Sequence, residues 1–491
     1  MIFNSVDFII FFPIVTVLYF IIPQRLKKLW LLAASYYFYM CWNAKYLILI
    51  FVSTLITYLS GIAIEKVHDK TAAVKKSIVA AALLSNLGIL FIFKYFNFFA
   101  RLANFAISRL GVGFAVPSLD LLLPVGISFY TFQALGYTMD VYRGETEAER
   151  NFIKYALFVS FFPQLVAGPI ERSKNLLGQL DEGKKFSLDG TRDGLLLMLW
   201  GYFLKIVLAD NIAIFVDRVY SGYESFEGWY LIIATMLFAV QIYCDFYGYS
   251  SIAKGAAKIL GIELMENFAA PYTAVTVSEF WRKWHISLTS WFKDYLYIPL
   301  GGNRKGKVRK YINIMIVFLV SGLWHGASFS FIVWGGLNGL YQVIGDILKP
   351  IREKLREFLQ IDLSLWSNRL AQTVVTFILV DFAWIFFRAQ GIGQAIAIIR
   401  QMFVRNIWVL FDGSLFTLGL NAKDFNMLIV SLMVLLIADM LRNRGIIIRK
   451  QIARQNFWFR CCVYVIAVAV ILTFGVWGPG YNAANFIYFQ F

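Results

Sequence analysis

Charge is scarce in this sequence. Asp, Glu, Lys and Arg make up 15% of the 491 residues against 59% hydrophobic ones, and the mean hydropathy is +0.65. Water could not solvate so much apolar surface, which excludes a soluble protein. Cysteine is scarce too. Cys41, Cys244, Cys461 and Cys462 show neither pairing nor metal-ligand spacing, and vicinal cysteines resist bonding to each other, so free thiols are expected and no metal or bound cofactor is required. P-loop, Rossmann and GxSxG patterns are missing, which removes the usual signs of nucleotide hydrolysis and serine hydrolase chemistry. No internal repeat stands out, which counts against the inverted-repeat transporter folds. Histidine occurs only three times, at 68, 285 and 325.

What is abundant is apolar sequence in segments long enough to cross a ~30 Å hydrocarbon layer as helix. About eleven to thirteen of them predict an all-α polytopic membrane protein. The first, Phe8 to Pro23, lacks the basic start and small-residue cleavage site of a signal peptide and is expected to remain as a span. The net charge of +16 gathers in short loops: Arg25 to Lys28, Lys66 to Lys76, Arg304 to Lys310 and Arg442 to Arg460. By the positive-inside rule these face the cytoplasm and its anionic lipid leaflet, so membrane lipid and not nucleic acid is the partner of that charge. Counting from the first and last clusters places both termini outside the cytoplasm, in a multi-pass protein of a cell membrane. Pro117 to Arg150 and Glu171 to Asp193 mix apolar runs with Pro, Gly and charge, and read as re-entrant or interfacial pieces.

Two stretches suit chemistry. In EFWRKWHISLTSWFKDYLYIPLGGNRKGKVRK, Glu279 to Lys310, the residues Trp281, Trp284, His285, Leu288, Trp291 and Phe292 fall on one face at helical spacing, which predicts an amphipathic interfacial helix with His285 at the edge of its apolar face. Pro299, Gly301 and Gly302 then predict a turn. In SGLWHGASFSFIVWGG, Ser321 to Gly336, His325 lies between two strongly apolar runs. A core histidine satisfied by its neighbours and a catalytic one are both open here. Ionisable groups within membranes are costly and face cavities more often than lipid. Gly322 and Gly326 would leave the ring open to a substrate, and imidazole suits removal of a proton from a hydroxyl near neutral pH. Asp245, an acid in an apolar tyrosine-rich run, is expected to be tied to a Lys, Arg or Tyr, or to serve as a proton or ion site. His68, in the charged loop Glu65 to Lys70, reads as solvated.

Several long motifs in one order, PVGISFYTFQALGYTMDVYRGE from Pro124, FFPQLVAGPIER from Phe161, DFYGYSSIAKG from Asp245, FWRKWHISLTSWFKDYLYIPLGGNR from Phe280, SGLWHGASFSFIVWG from Ser321, WIFFRA from Trp384 and FIYFQF from Phe486, resemble the bacterial membrane-bound O-acyltransferases (MBOAT). The branch is that of the alginate O-acetyltransferases, with the teichoic acid D-alanyltransferases more distant. The resemblance covers residues 1–491 as a single integral-membrane domain. It implies tilted helices around a thinned centre with a funnel from each membrane face. It matches His325 to the family's active-site histidine and His285 to its second histidine, with Asp245, Asp294, Asn303 and Asn338 as candidate channel residues. Tyr247 stands where many relatives have Ser, and Asn338 where many have His.

The resemblance further implies acyl, most simply acetyl, transfer to an extracellular or cell-wall polysaccharide. The donor would be a cytoplasmic thioester, acetyl-CoA or an acylated acyl carrier protein, and the partner a secreted SGNH-type acyltransferase. D-alanyl transfer to teichoic acid is the alternative within the enzyme class; outside it stand a polysaccharide or lipid transporter and a scaffold. The tail 478–491 ends in FIYFQF, a motif similar to that of the small protein of D-alanylation systems, so the Tyr488 hydroxyl is expected either to accept the acyl group or to anchor in the aromatic belt.

Overall fold

The computed structural model describes residues 1–67, 70–111, 113–166, 168–181, 184–476 and 486–487. His68, Tyr488 and most of the 478–491 tail lie outside the described residues. No strand occurs among those that are described, in keeping with an all-α polytopic membrane protein.

Among the described residues seven helices are long and apolar enough to cross a membrane, and an eighth results if Phe329–Ile347 and Lys349–Phe358, bent by 52°, form one span. The expected eleven to thirteen counted shorter or more basic helices as well. Val6–Ile21 has 16 residues and Gln24–Met40 has 17, which at ~1.5 Å per residue fall short of a ~30 Å core. Gly306–His325 carries Lys307, Arg309 and Lys310 in its first turns. Apolar side chains such as Ile9, Ile14, Val465 and Leu472 are exposed along helix faces, a surface suited to lipid and not to water.

The chain forms two compact units, Met1–Met198 with Ser250–Met265, and Leu199–Tyr249 with Glu266–Phe491. In the first, Ile127–Arg143 is a continuous helix of 17 residues packed on Leu47–Lys66 and Ala72–Leu90. It occupies the middle of Pro117 to Arg150, the stretch expected to form a re-entrant or interfacial piece. Gly126 and Gly144, at φ 75 and 72, end it at both sides. Its polar residues find partners inside: Thr138 with Ser60 at 3.1 Å, and Asp140 accepting from Ser173 at 2.6 Å. Gly61 has no side chain to collide with the Tyr137 ring. The helix Ser173–Asp181 lies against Phe152–Ser160, where Lys154 and Lys28 converge on Asp181.

In the second unit the helices Gly306–His325 and Phe329–Ile347 form a tight hairpin. A Cβ at Gly322 would overlap the Phe331 carbonyl, and one at Gly335 the Phe318 carbonyl. Small residues at such a crossing let two backbones approach without a side chain between them. The hairpin fixes where the end of Gly306–His325, and therefore His325, must lie.

Candidate active site

The stretch from Glu279 does not form the single amphipathic helix its spacing predicts. Helix Val277–Lys283 stops, Trp284 is extended, and His285 adopts the left-handed conformation at φ 43 before Ile286–Phe292 begins. Neither Pro nor Gly causes the break. A neighbouring loop does: Ile286 N donates to Asn267 O at 2.9 Å, Ser287 Oγ to Asn267 Oδ1 at 2.6 Å, and Ala269 N to Lys283 O at 3.0 Å. Backbone bonds that a helix would close internally are closed to this loop instead, which outweighs the local helical preference. Upstream, Thr276 caps Val277–Lys283 and Lys283 bonds Glu279 at 2.8 Å and Asn443 at 2.9 Å. Burial alone would raise the Glu279 carboxyl, but the Lys283 ammonium and the Val275 N–H outweigh it and hold it below the usual range.

The turn places His285 inside, 1% exposed, and not at the edge of a surface helix. Its ring lies 4.6 Å from Phe246 and 6.1 Å from Trp324. His325, 4% exposed, meets Trp324 at 4.9 Å, Trp334 at 5.0 Å and Phe387 at 5.3 Å. One indole, Trp324, therefore adjoins both histidines. Gly326 does not open His325 to a substrate as expected, because a Cβ there would strike the Phe331 ring, and the missing side chain serves packing. Gly322 likewise serves the hairpin.

Asn338 lies beside this cluster. Trp281 Nε1 donates to its Oδ1 at 3.2 Å, and its Nδ2 donates to the Trp334 backbone carbonyl one turn back on the same helix at 2.9 Å, so it holds the Trp281 indole, which packs on Trp334. Asp294 is half-buried in the π-helical turn Lys293–Tyr297, and Asn303 is exposed in the turn after Gly301 and Gly302. Asn303 is not gathered with the histidines. Asp245 is buried and paired, as its setting predicts. Lys205 Nζ lies 2.7 Å from Asp245 and 2.8 Å from Asp210. Lys205 comes from the π-helical segment Phe203–Ala209 within a long apolar helix, an irregularity that often marks functional positions. A lysine in the run GYFLKIVLAD was the signal by which sequence reasoning could have found it. A further acid of an apolar run is also engaged, Tyr243 donating to Asp439 at 3.0 Å, and nearby Arg442 bonds Tyr247 and the exposed Glu266.

Two buried imidazoles flanked by aromatic rings within a bundle of apolar helices mark an integral-membrane protein with ionisable groups in its interior. Residues 148–363 match the model of the MBOAT, membrane-bound O-acyltransferase family. The chain is 36% identical to the "probable alginate O-acetylase" of Pseudomonas syringae pv. tomato over 84% of its own length and 77% of that protein. To the peptidoglycan O-acetyltransferase of Helicobacter pylori it is 34% identical over 82% and 80%. The teichoic acid D-alanyltransferase of Bacillus subtilis is 25% identical over 55% of this chain and 70% of its own. The chain belongs to the membrane-bound O-acyltransferase family and is an O-acyltransferase.

Proposed function

We propose that this protein O-acetylates a polysaccharide at the outer face of a cell membrane, drawing the acetyl group from a cytoplasmic thioester, acetyl-CoA or an acylated carrier protein. The observation that carries the reading is the pair of buried histidines that both neighbour Trp324, in a chain whose relatives at 34–36% identity are named for acetylation of alginate and of peptidoglycan. The D-alanyltransferase likeness is lower and covers less of the chain, which favours acetyl over D-alanyl transfer.

His325 acts as general base. It takes the proton of an acceptor hydroxyl as that oxygen attacks the thioester carbonyl; the C–S bond breaks, and the thiolate leaves with a proton returned to it. His285 orients one of the reactants. The first acceptor is the Tyr488 phenol, whose ester is a better acyl donor than an alkyl ester because phenol, with an unperturbed pKa near ~10, is the better leaving group. A secreted partner enzyme of SGNH type moves the group on to the polymer. The five Lys and Arg of Asn303 to Lys310 put that loop, and with it the donor side, in the cytoplasm.

The test is intact-mass analysis of the C-terminal peptide after acetyl-CoA is supplied, together with polymer acetylation in a Tyr488→Phe strain. One added acetyl group, absent in Tyr488→Phe along with polymer acetylation, supports the relay; undiminished acetylation in that variant removes it. A cysteine at Lys307 should resist membrane-impermeant thiol reagents in intact cells, and labelling from outside would reverse the orientation.

A further inference from the structure

Two residues of the C-terminal tail, Phe486 and Ile487, lie in the interior of their unit. Phe486 is completely buried, its ring 4.3 Å from Tyr249 and 6.5 Å from Phe246, and the Lys205 ammonium lies 6.0 Å from the same ring. Ile487, also buried, donates its backbone N–H to Asp245 Oδ2 at 2.8 Å. The other oxygen of that carboxylate faces Lys205 at 2.7 Å. One acid thus holds an ammonium on one side and the peptide backbone of the tail on the other.

The chain is pinned to the same π-helical segment where it leaves the last span. Asn211 Nδ2 donates to Val207 O at 2.9 Å and to Phe474 O at 3.1 Å, and Val476 N donates to Ile206 O at 3.0 Å. The turn Phe203–Ala209 frees carbonyls that an α-helix would occupy, and it also presents Lys205. Both ends of the segment between Val476 and Phe486 are therefore attached to one structural feature.

We infer that Lys205, Asp245 and Asp210 form a receptor for the chain's own C-terminal segment, and that Asp245 is its positioning residue. A buried carboxylate requires its oxygens to be satisfied, and a peptide N–H is a donor that any tail sequence except proline can offer at this position. Recognition of the backbone leaves the neighbouring side chains available for other work. The Phe246 ring lies 4.6 Å from His285 and 6.5 Å from Phe486, so one ring neighbours both the second histidine and the anchored tail. Tyr488 is the residue that follows Ile487 in the sequence. The consequence for acyl transfer rests on the Tyr488 relay proposed above; the anchoring does not.

Hydrogen exchange of the Ile487 amide in the full-length protein tests the anchoring without any turnover. The wild type should exchange at least tenfold more slowly than an unprotected amide, and Asp245→Ala should lose that protection. Phe486→Ala removes only a tail ring and leaves the ion cluster whole, so it decides the matter if Asp245→Ala fails to fold; it too should lose at least tenfold. An Ile487 amide that exchanges freely in the wild type, or equally slowly in Phe486→Ala and a folded Asp245→Ala, overturns the receptor. In Phe486→Ala acetyl transfer should fall while the Lys205–Asp245 pair persists. If protection is lost but transfer is unchanged, the receptor stands and the Tyr488 relay falls.

Discussion

His285 and His325 reach the same indole by opposite routes. His325 ends a regular helix of 20 residues, and its position follows from how closely that helix crosses Phe329–Ile347 at Gly322 and Gly335. His285 stands at a break with left-handed backbone, and its position follows from hydrogen bonds to the loop at Asn267. The first depends on close packing, the second on backbone bonds that replace helical ones. A pair of histidines assembled this way can be perturbed on one side at a time, which is how the contrast is sharpened.

The largest effects should come from the rings themselves. If His325 is the general base, His325→Ala lowers acetyl transfer by ~10²- to 10⁴-fold, whereas His285→Ala, which removes an orienting contact, lowers it by up to about 10²-fold. Both are measured as polymer acetylation at matched protein abundance. Equal losses in the two variants would erase the division of labour between base and orienting group.

Smaller effects should follow from the two supports. Gly335→Ala places a Cβ against the Phe318 carbonyl, an overpacking that costs about 1–3 kcal/mol, while Gly345→Ala on the same helix meets nothing within 4 Å and serves as control. Asn267→Ala strips the acceptor from the Ser287 backbone and hydroxyl, leaving buried donors at about 1–3 kcal/mol. Thermal unfolding in detergent reads both. The comparison breaks if Gly345→Ala destabilises as much as Gly335→Ala, or if Asn267→Ala costs nothing.

This contrast also explains what could be read in advance. His325 was legible because it interrupts an apolar run, and the pairing of Asp245 was legible because an isolated carboxylate in such a run is too costly to leave alone. The partner Lys205, 40 positions earlier in sequence, could not be chosen from spacing. The break at His285 was illegible because Trp281, Trp284, Leu288 and Trp291 keep helical spacing across it. Its cause lies at Asn267, in another segment, and local periodicity carries no trace of that. Gly322 and Gly326 were read as open space for a substrate; the spacing of small residues cannot tell a void from a packed crossing. The helical form of Ile127–Arg143 was hard to read because Thr138 and Gln133 look interfacial in sequence, whereas within the bundle they bond to neighbouring helices.

The smallest effect isolates backbone from ring. Replacing a histidine by Ala or by Gly removes the imidazole either way, so the difference between the two variants reports only the conformation required at that position. At residue 285 the left-handed backbone disfavours any side chain with a Cβ, and His285→Gly should be more stable than His285→Ala by about 1 kcal/mol. At residue 325, inside the last helical turn, glycine adds conformational freedom to the unfolded chain, and His325→Gly should be less stable than His325→Ala by about 0.5–1 kcal/mol. The sign should therefore reverse between the two positions when unfolding midpoints of the four variants are compared under one set of detergent conditions. The same sign at both would mean that His285 does not hold the left-handed turn in the membrane, and that its ring reaches Trp324 by some other backbone path.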